Sequence, residues 1–199
     1  MTNNKTDTII PQLRAPDVQG MQKAIHNFLV SAGFSLDHPH LDETPQRVTQ
    51  CWLECLLNGY QMDPKDILGE TFPAEEKGLV LIRDIAFHGL CPHHLLPFTG
   101  KAHIAFLPNE KLIGFSKLAD LVRCFTQRLV LQETANQLII QAITDELQVK
   151  GAGCILEGQH ACMTLRDAKH KDCKVVTSAF SGVFEEKPEW QLVLFNRNQ

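Results

Sequence analysis

Residues 79–107, LVLIRDIAFHGLCPHHLLPFTGKAHIAFL, decide the reading of this chain. Residues 79–87 and 101–107 are short runs rich in β-branched and aromatic side chains, bounded by Gly and Pro, and they read as two strands. The segment between them carries Cys91-Pro92-His93-His94, three potential metal donors within four residues. A short loop at a strand end can aim several side chains at one point. Thiolate plus imidazole suits zinc, a borderline-soft ion that imposes little geometry of its own.

Outward from this hairpin the texture is helical. Before it, Val18, Met21, Ile25, Phe28 and Leu29 recur at helical spacing, with Pro16-Asp17 in front and Gly33 behind. A second helix starts at Thr44-Pro45, where Thr can cap and Pro fits the first helical position, and stops at Asn58-Gly59. Cys51 and Cys55, four apart on it, read as core thiols. Residues 61–77, with their prolines, glycine and charges, read as an irregular connection. After the hairpin, Leu118, Leu121, Val122, Phe125 and Leu129 return to helical spacing behind Ser116 as a cap, and a further helix spans 132–147. Strand-like stretches follow at 153–163, 174–184 and 190–195.

Strands separated by a helical pair predict an α+β architecture, an antiparallel sheet with helices on one face. The expected division is an N-terminal arm with helices over 1–60 and a catalytic domain over 61–199. No internal repeat or low-complexity tract interrupts it. The 23 acidic residues against 19 Lys plus Arg give a net charge of -4, and with it no overall attraction to nucleic acid or anionic membrane. The polar N-terminus carries no apolar run fit for secretion or membrane insertion, so a soluble cytoplasmic protein is expected. Seven scattered cysteines, an odd number, predict reduced thiols and no disulfide framework.

His160-Ala161-Cys162 repeats the donor types of the first loop on an expected strand, where residues two apart share a face. Four ligands would close a structural site, and three would leave a position open for water. Spacing alone leaves both open. His88, His103 and His170 each stand alone and read as structural or surface histidines, and Cys124, Cys154 and Cys173 as core or surface thiols.

Several motifs together resemble GTP cyclohydrolase I. They are Thr44-Pro45-Gln46-Arg47-Val48, Cys91-Pro92-His93-His94-Leu95-Leu96-Pro97-Phe98, GKAHIAFLP over 100–108, IGFSKL over 113–118, Gln132-Glu133, and His160-Ala161-Cys162-Met163 followed by Arg166. The resemblance runs in the family's order over residues 17–184. It implies the tunnelling fold, in which antiparallel strands of several subunits join into a barrel, and a toroidal homodecamer with active sites between neighbours. It implies Zn2+ held by Cys91, His94 and Cys162, with His93 and His160 left for proton transfer. Ser116 and Lys117 would lie near the ribose and phosphates, Ser116 taking part in catalysis. Arg47 and Arg166 would bind substrate. Glu133, with Gln132 beside it, would receive the guanine N1 and N2 hydrogens, a pairing that rejects adenine by leaving a buried acceptor unpaired. The implied reaction opens the imidazole ring of GTP, giving formate and 7,8-dihydroneopterin triphosphate.

The chain departs from the family where phosphates should bind. Gln50, Asp120 and Thr134 stand at positions the family fills with cations, Pro92 replaces a glutamate beside the metal, and Asp167 replaces a glycine. Arg to Asp changes the local charge by two units, which opposes phosphate binding. A substrate with fewer phosphates is one expectation; the other is GTP itself, with Lys101, Arg123 or Arg128 compensating. Two further alternatives are a paralogue acting on another purine-like or pterin-like heterocycle, and a non-catalytic binding protein with a structural zinc.

Overall fold

The computed structural model describes residues 15–75, 78–165 and 170–196. The chain divides into two compact units between Asn58 and Gly59. In the first, α1 (Val18–Ser31) is capped by Asp17, whose carboxylate accepts from Gly20 N at 2.9 Å. It packs against α2 (Thr44–Cys51), which begins one residue beyond its cap, Glu43, with Pro45 in the first turn. A π-helical turn, Trp52–Leu56, continues α2. Cys51 and Cys55 are both exposed there, against the expectation of core thiols. The reason is that this short helix offers a small buried face, taken by Pro45 and Thr49.

The second unit contains α3 (Pro64–Leu68), β1 (Thr71–Pro73), β2 (Val80–Leu90), β3 (Pro97–Leu107), β4 (Lys111–Ile113), α4 (Phe115–Thr126), α5 (Gln132–Leu147), β5 (Gly151–His160), α6 (Ala161–Thr164), β6 (Val175–Gly182), α7 (Val183–Glu186) and α8 (Pro188–Phe195). β1 and β4 form a two-stranded ribbon, and the main sheet runs β2-β3-β5-β6, antiparallel throughout. Mixed helix and antiparallel sheet is therefore the architecture, as the alternation of strand and helix periodicity predicts. α4 and α5 pack on one face. Ile104, Phe106 and Leu156 from the sheet, and Leu118, Leu121, Ile139 and Ile143 from the helices, are all buried.

The other face holds a second core, Ala105, Ile155, Phe184 and Leu194, with Leu81, Leu107 and Trp190 packed on it. Here the expectation of a strand at 190–195 is corrected: Pro188 opens α8 at a first-turn position and Trp190 and Leu194, four apart, share the covered side. Six residues of mostly apolar character fit a buried strand and a buried helix equally, and tertiary packing chooses between them. A bulge between Ile82 and Ile85, with Asp84 at φ 61°, lets Arg83 donate to Val193 O and Asn196 O, each at 2.7 Å, clamping the end of α8. Among the described residues no helix is long and apolar enough to cross a membrane.

Candidate active site

The turn between β2 and β3 and the residues that directly follow β5 lie at one end of the sheet. β2 and β3 pair as far as Leu90 opposite Pro97, and β3 and β5 as far as Phe98 opposite His160. The hairpin turn lies beyond the first pair. Cys91 N donates to Leu96 O at 3.0 Å and Leu95 N to Cys91 O at 2.9 Å, with Leu95 left-handed at φ 54°. Cys91 is buried in this turn, whereas His93 and His94 are exposed on it. Behind it, Leu90 N donates to Arg128 O at 3.2 Å and Val130 N to Leu90 O at 3.1 Å, so the link from α4 to α5 braces the turn.

β5 ends at His160, and Cys162 lies in the single turn of α6 that follows. The expected strand through 163 is thus corrected, and the argument that His160 and Cys162 share a strand face goes with it. Both cysteines still belong to turns at the same end of β2, β3 and β5. Among the described residues no three His, Cys, Asp or Glu side chains gather as a metal site. The donor set of two thiols and an imidazole fits zinc; the chain alone does not draw it together.

What the structure does assemble is the surroundings of His160. Its ring stacks on Phe98, with centroids 4.8 Å apart and planes 6° apart, and its Nε2 lies 2.9 Å from Gln132 Oε1. Gln132, the first residue of α5, is buried against the sheet, where its Nε2 donates to Leu156 O (3.0 Å), Val175 O (3.1 Å) and Thr177 Oγ1 (3.1 Å). Gly158 makes room for it: a Cβ there would come 2.5 Å from Oε1. Burial pushes the His160 imidazole below its ordinary pKa, while the carboxylate of Glu133, exposed in the first turn of α5, pulls the other way. A neutral imidazole beside a carboxylate at a helix N-terminus can accept a proton near neutral pH. Sequence gives no sign of either contact, because strand register brings Phe98 to His160 and the docking of α5 brings Gln132 to Thr177.

Ser116 and Lys117 sit in the first turn of α4, whose cap is Gly114, so Ser116 is not the cap. The link that follows α4 braces the Cys91 turn, and Ser116 stands at the other end of the helix, about 15 Å from Thr126 along the axis at 1.5 Å per residue. Arg47, in the first unit, is exposed and near Glu43 (3.5 Å) and Asp42 (3.8 Å). Arg166 and Asp167 lie outside the described residues.

The proposed compensating cations are otherwise engaged. Arg123 pairs with Asp120 at 2.8 Å. Arg128 is buried, donates twice to Gly59 O and lies over the Tyr60 and Phe125 rings. Strand alternation turns Lys101, opposite Glu157, to the sheet face away from Phe98 and His160.

A family model described as GTP cyclohydrolase I matches residues 21–198. Among curated relatives, the GTP cyclohydrolase 1 of Ralstonia nicotianae is 37% identical over 89% of this chain and 85% of its own length. That of Chromobacterium violaceum is 34% identical over 90% and 87%, and that of Streptococcus agalactiae serotype Ia 38% over 86% and 91%.

Proposed function

The chain belongs to the GTP cyclohydrolase I family, and from that premise we propose that it is a zinc-dependent hydrolase opening the imidazole ring of GTP to yield formate and 7,8-dihydroneopterin triphosphate. The observation that carries the mechanism is the His160 imidazole, stacked on Phe98, bonded to Gln132 and facing the field of Glu133. Releasing the ring carbon C8 as formate adds water across two C–N bonds and needs protons for the departing nitrogens. His160 and His93 take and return those protons, and each is worth about 10²- to 10⁴-fold in rate. Glu133 accepts from guanine N1–H and N2–H. Its place in the first turn of α5 suits an acceptor of that kind, since the helix dipole favours negative charge there.

Cys91, His94 and Cys162 would hold zinc, which when bound supplies Lewis acidity at the reacting centre. Their carrier turns already share one sheet end, and metal binding would have to gather the three side chains. Ser116 and Lys117, at the opposite end of α4, suit a site completed by a neighbouring subunit, and Arg47 and Arg166 would join them at the ribose and phosphates. Exposed Phe28, Phe34, Phe72 and Phe115 also favour a tunnelling-fold homo-oligomer, with a decamer as the assembly. Free thiols and a nucleotide substrate favour the cytoplasm.

A second reading, supported by the pairing of Asp120 with Arg123 and the burial of Arg128, is a substrate with fewer phosphates. Formate release from GTP, guanosine and guanine, assayed in parallel with zinc-loaded protein, separates the two. Selective turnover of GTP sinks the second reading; absence of formate from all three sinks both.

A further inference from the structure

The Gln132 amide has one orientation its surroundings accept. Leu156 O and Val175 O are pure acceptors, 3.0 and 3.1 Å away, so the atom facing them carries hydrogens and is Nε2. Thr177 Oγ1, which also takes a hydrogen bond from Asn136 Nδ2 at 3.2 Å, stands on the same side. Oε1 therefore points at His160, and an amide oxygen only accepts. For the 2.9 Å contact to be a hydrogen bond, His160 must carry its hydrogen on Nε2. Rotating the ring by half a turn would bring a carbon to Oε1 in place of Nε2 and lose the bond. The Phe98 ring, parallel to within 6°, fixes the plane.

We infer that Gln132 is a positioning residue, which holds His160 as the Nε2–H tautomer and leaves Nδ1 as the nitrogen that exchanges protons with substrate. This rests on the reading above that His160 moves protons during hydrolysis. It replaces the expected contact between Gln132 and the guanine base, because Gln132 is 1% exposed and both ends of its amide are engaged within the chain. Nδ1 makes no hydrogen bond among the described residues. The amide oxygen is too weak a base to take the hydrogen from Nε2, so Nδ1 is the ring nitrogen left to face substrate.

The direct test is ¹⁵N-histidine NMR of the zinc-loaded wild-type protein, with the His160 signals assigned by their loss in His160→Asn. The expected pattern is a protonated Nε2 and a bare Nδ1 for the neutral ring; the opposite tautomer overturns the inference. The kinetic test is Gln132→Met, which keeps the length and removes the acceptor. The variant is expected to lower kcat on the order of ten- to a hundredfold with KM for GTP within about twofold and zinc content unchanged. A raised KM with kcat preserved would mean that Gln132 touches guanine and overturns the inference. If Gln132→Met fails to fold, the wild-type spectrum decides alone. Wild-type turnover of GTP tests the activity separately: a silent enzyme with the Nε2–H tautomer defeats the reaction and leaves this geometry standing.

Discussion

At the scale of single residues, the donors and the proton carriers should separate cleanly. Cys91→Ala or Cys162→Ala is expected to lose bound zinc, since each removes one of three protein ligands. His93→Ala and His160→Ala are expected to keep it and lose turnover by at least about 10²-fold. Metal analysis of the purified variants checks this, and zinc lost from His160→Ala would instead assign a four-ligand structural centre. Gly158→Ala belongs to the same scale. Its Cβ would meet Gln132 Oε1 at 2.5 Å, and the amide cannot swing aside without giving up its bonds to Leu156 O and Val175 O. A fall in kcat of about tenfold, corresponding to ~1.4 kcal/mol of lost positioning, is the expected readout, with little change in KM. Donor type and local spacing made Cys91, His94, Cys162 and His160 candidates, and the fold carries their turns to one end of the sheet without gathering a metal site among the described residues. The stacking of Phe98 on His160 and the hydrogen bonds of Gln132 were not legible there, because the first depends on the register of β3 against β5 and the second on how α5 docks on the sheet.

At the scale of elements, periodicity was informative where one face of an element is wet. α1 and α5 fall where their apolar spacing puts them, and β2 and β3 flank the Cys91 turn as their composition predicts, each longer than its β-rich run by the residues that pair nearest the turn. Periodicity failed at α8, a short and mostly apolar segment, and at α6, where the chain leaves the sheet at His160 with no Gly or Pro to mark the change. α8 matters because it closes the second core. Leu194 is 2% exposed against Ala105, Ile155 and Phe184, so Leu194→Ala is expected to cost about 2–5 kcal/mol in a denaturant titration. A cost under ~1 kcal/mol would show that α8 does not cover the sheet in solution. Arg83→Ala, which frees the carbonyls of Val193 and Asn196 at the end of the same helix, should destabilise by a smaller amount, about 1–3 kcal/mol.

At the scale of the whole molecule, the question is how residues that one chain keeps apart serve one reaction. Within a chain, α4 ends at the brace behind the Cys91 turn, and Ser116 and Lys117 stand at its other end, about 15 Å off by the rise of the helix. On the proposed reading, another copy presents its own α4 N-terminus, and with it Lys117, to the triphosphate whose base lies against Glu133. Shared sites make a prediction that isolated sites do not. Lys117→Ala and His160→Ala should each be nearly inactive as homo-oligomers, yet a mixed oligomer assembled from both should regain activity. At each interface between unlike subunits, one pairing joins two defects and the other joins two intact halves. With random mixing of equal amounts, a quarter of the sites receive an intact Lys117 and an intact His160, so about 25% of wild-type turnover is the ceiling expected from the symmetry of such an assembly. Activity of the refolded mixture that stays at the sum of the two parents would place the whole site within one chain. The proposal that two copies share the site would then have to be given up.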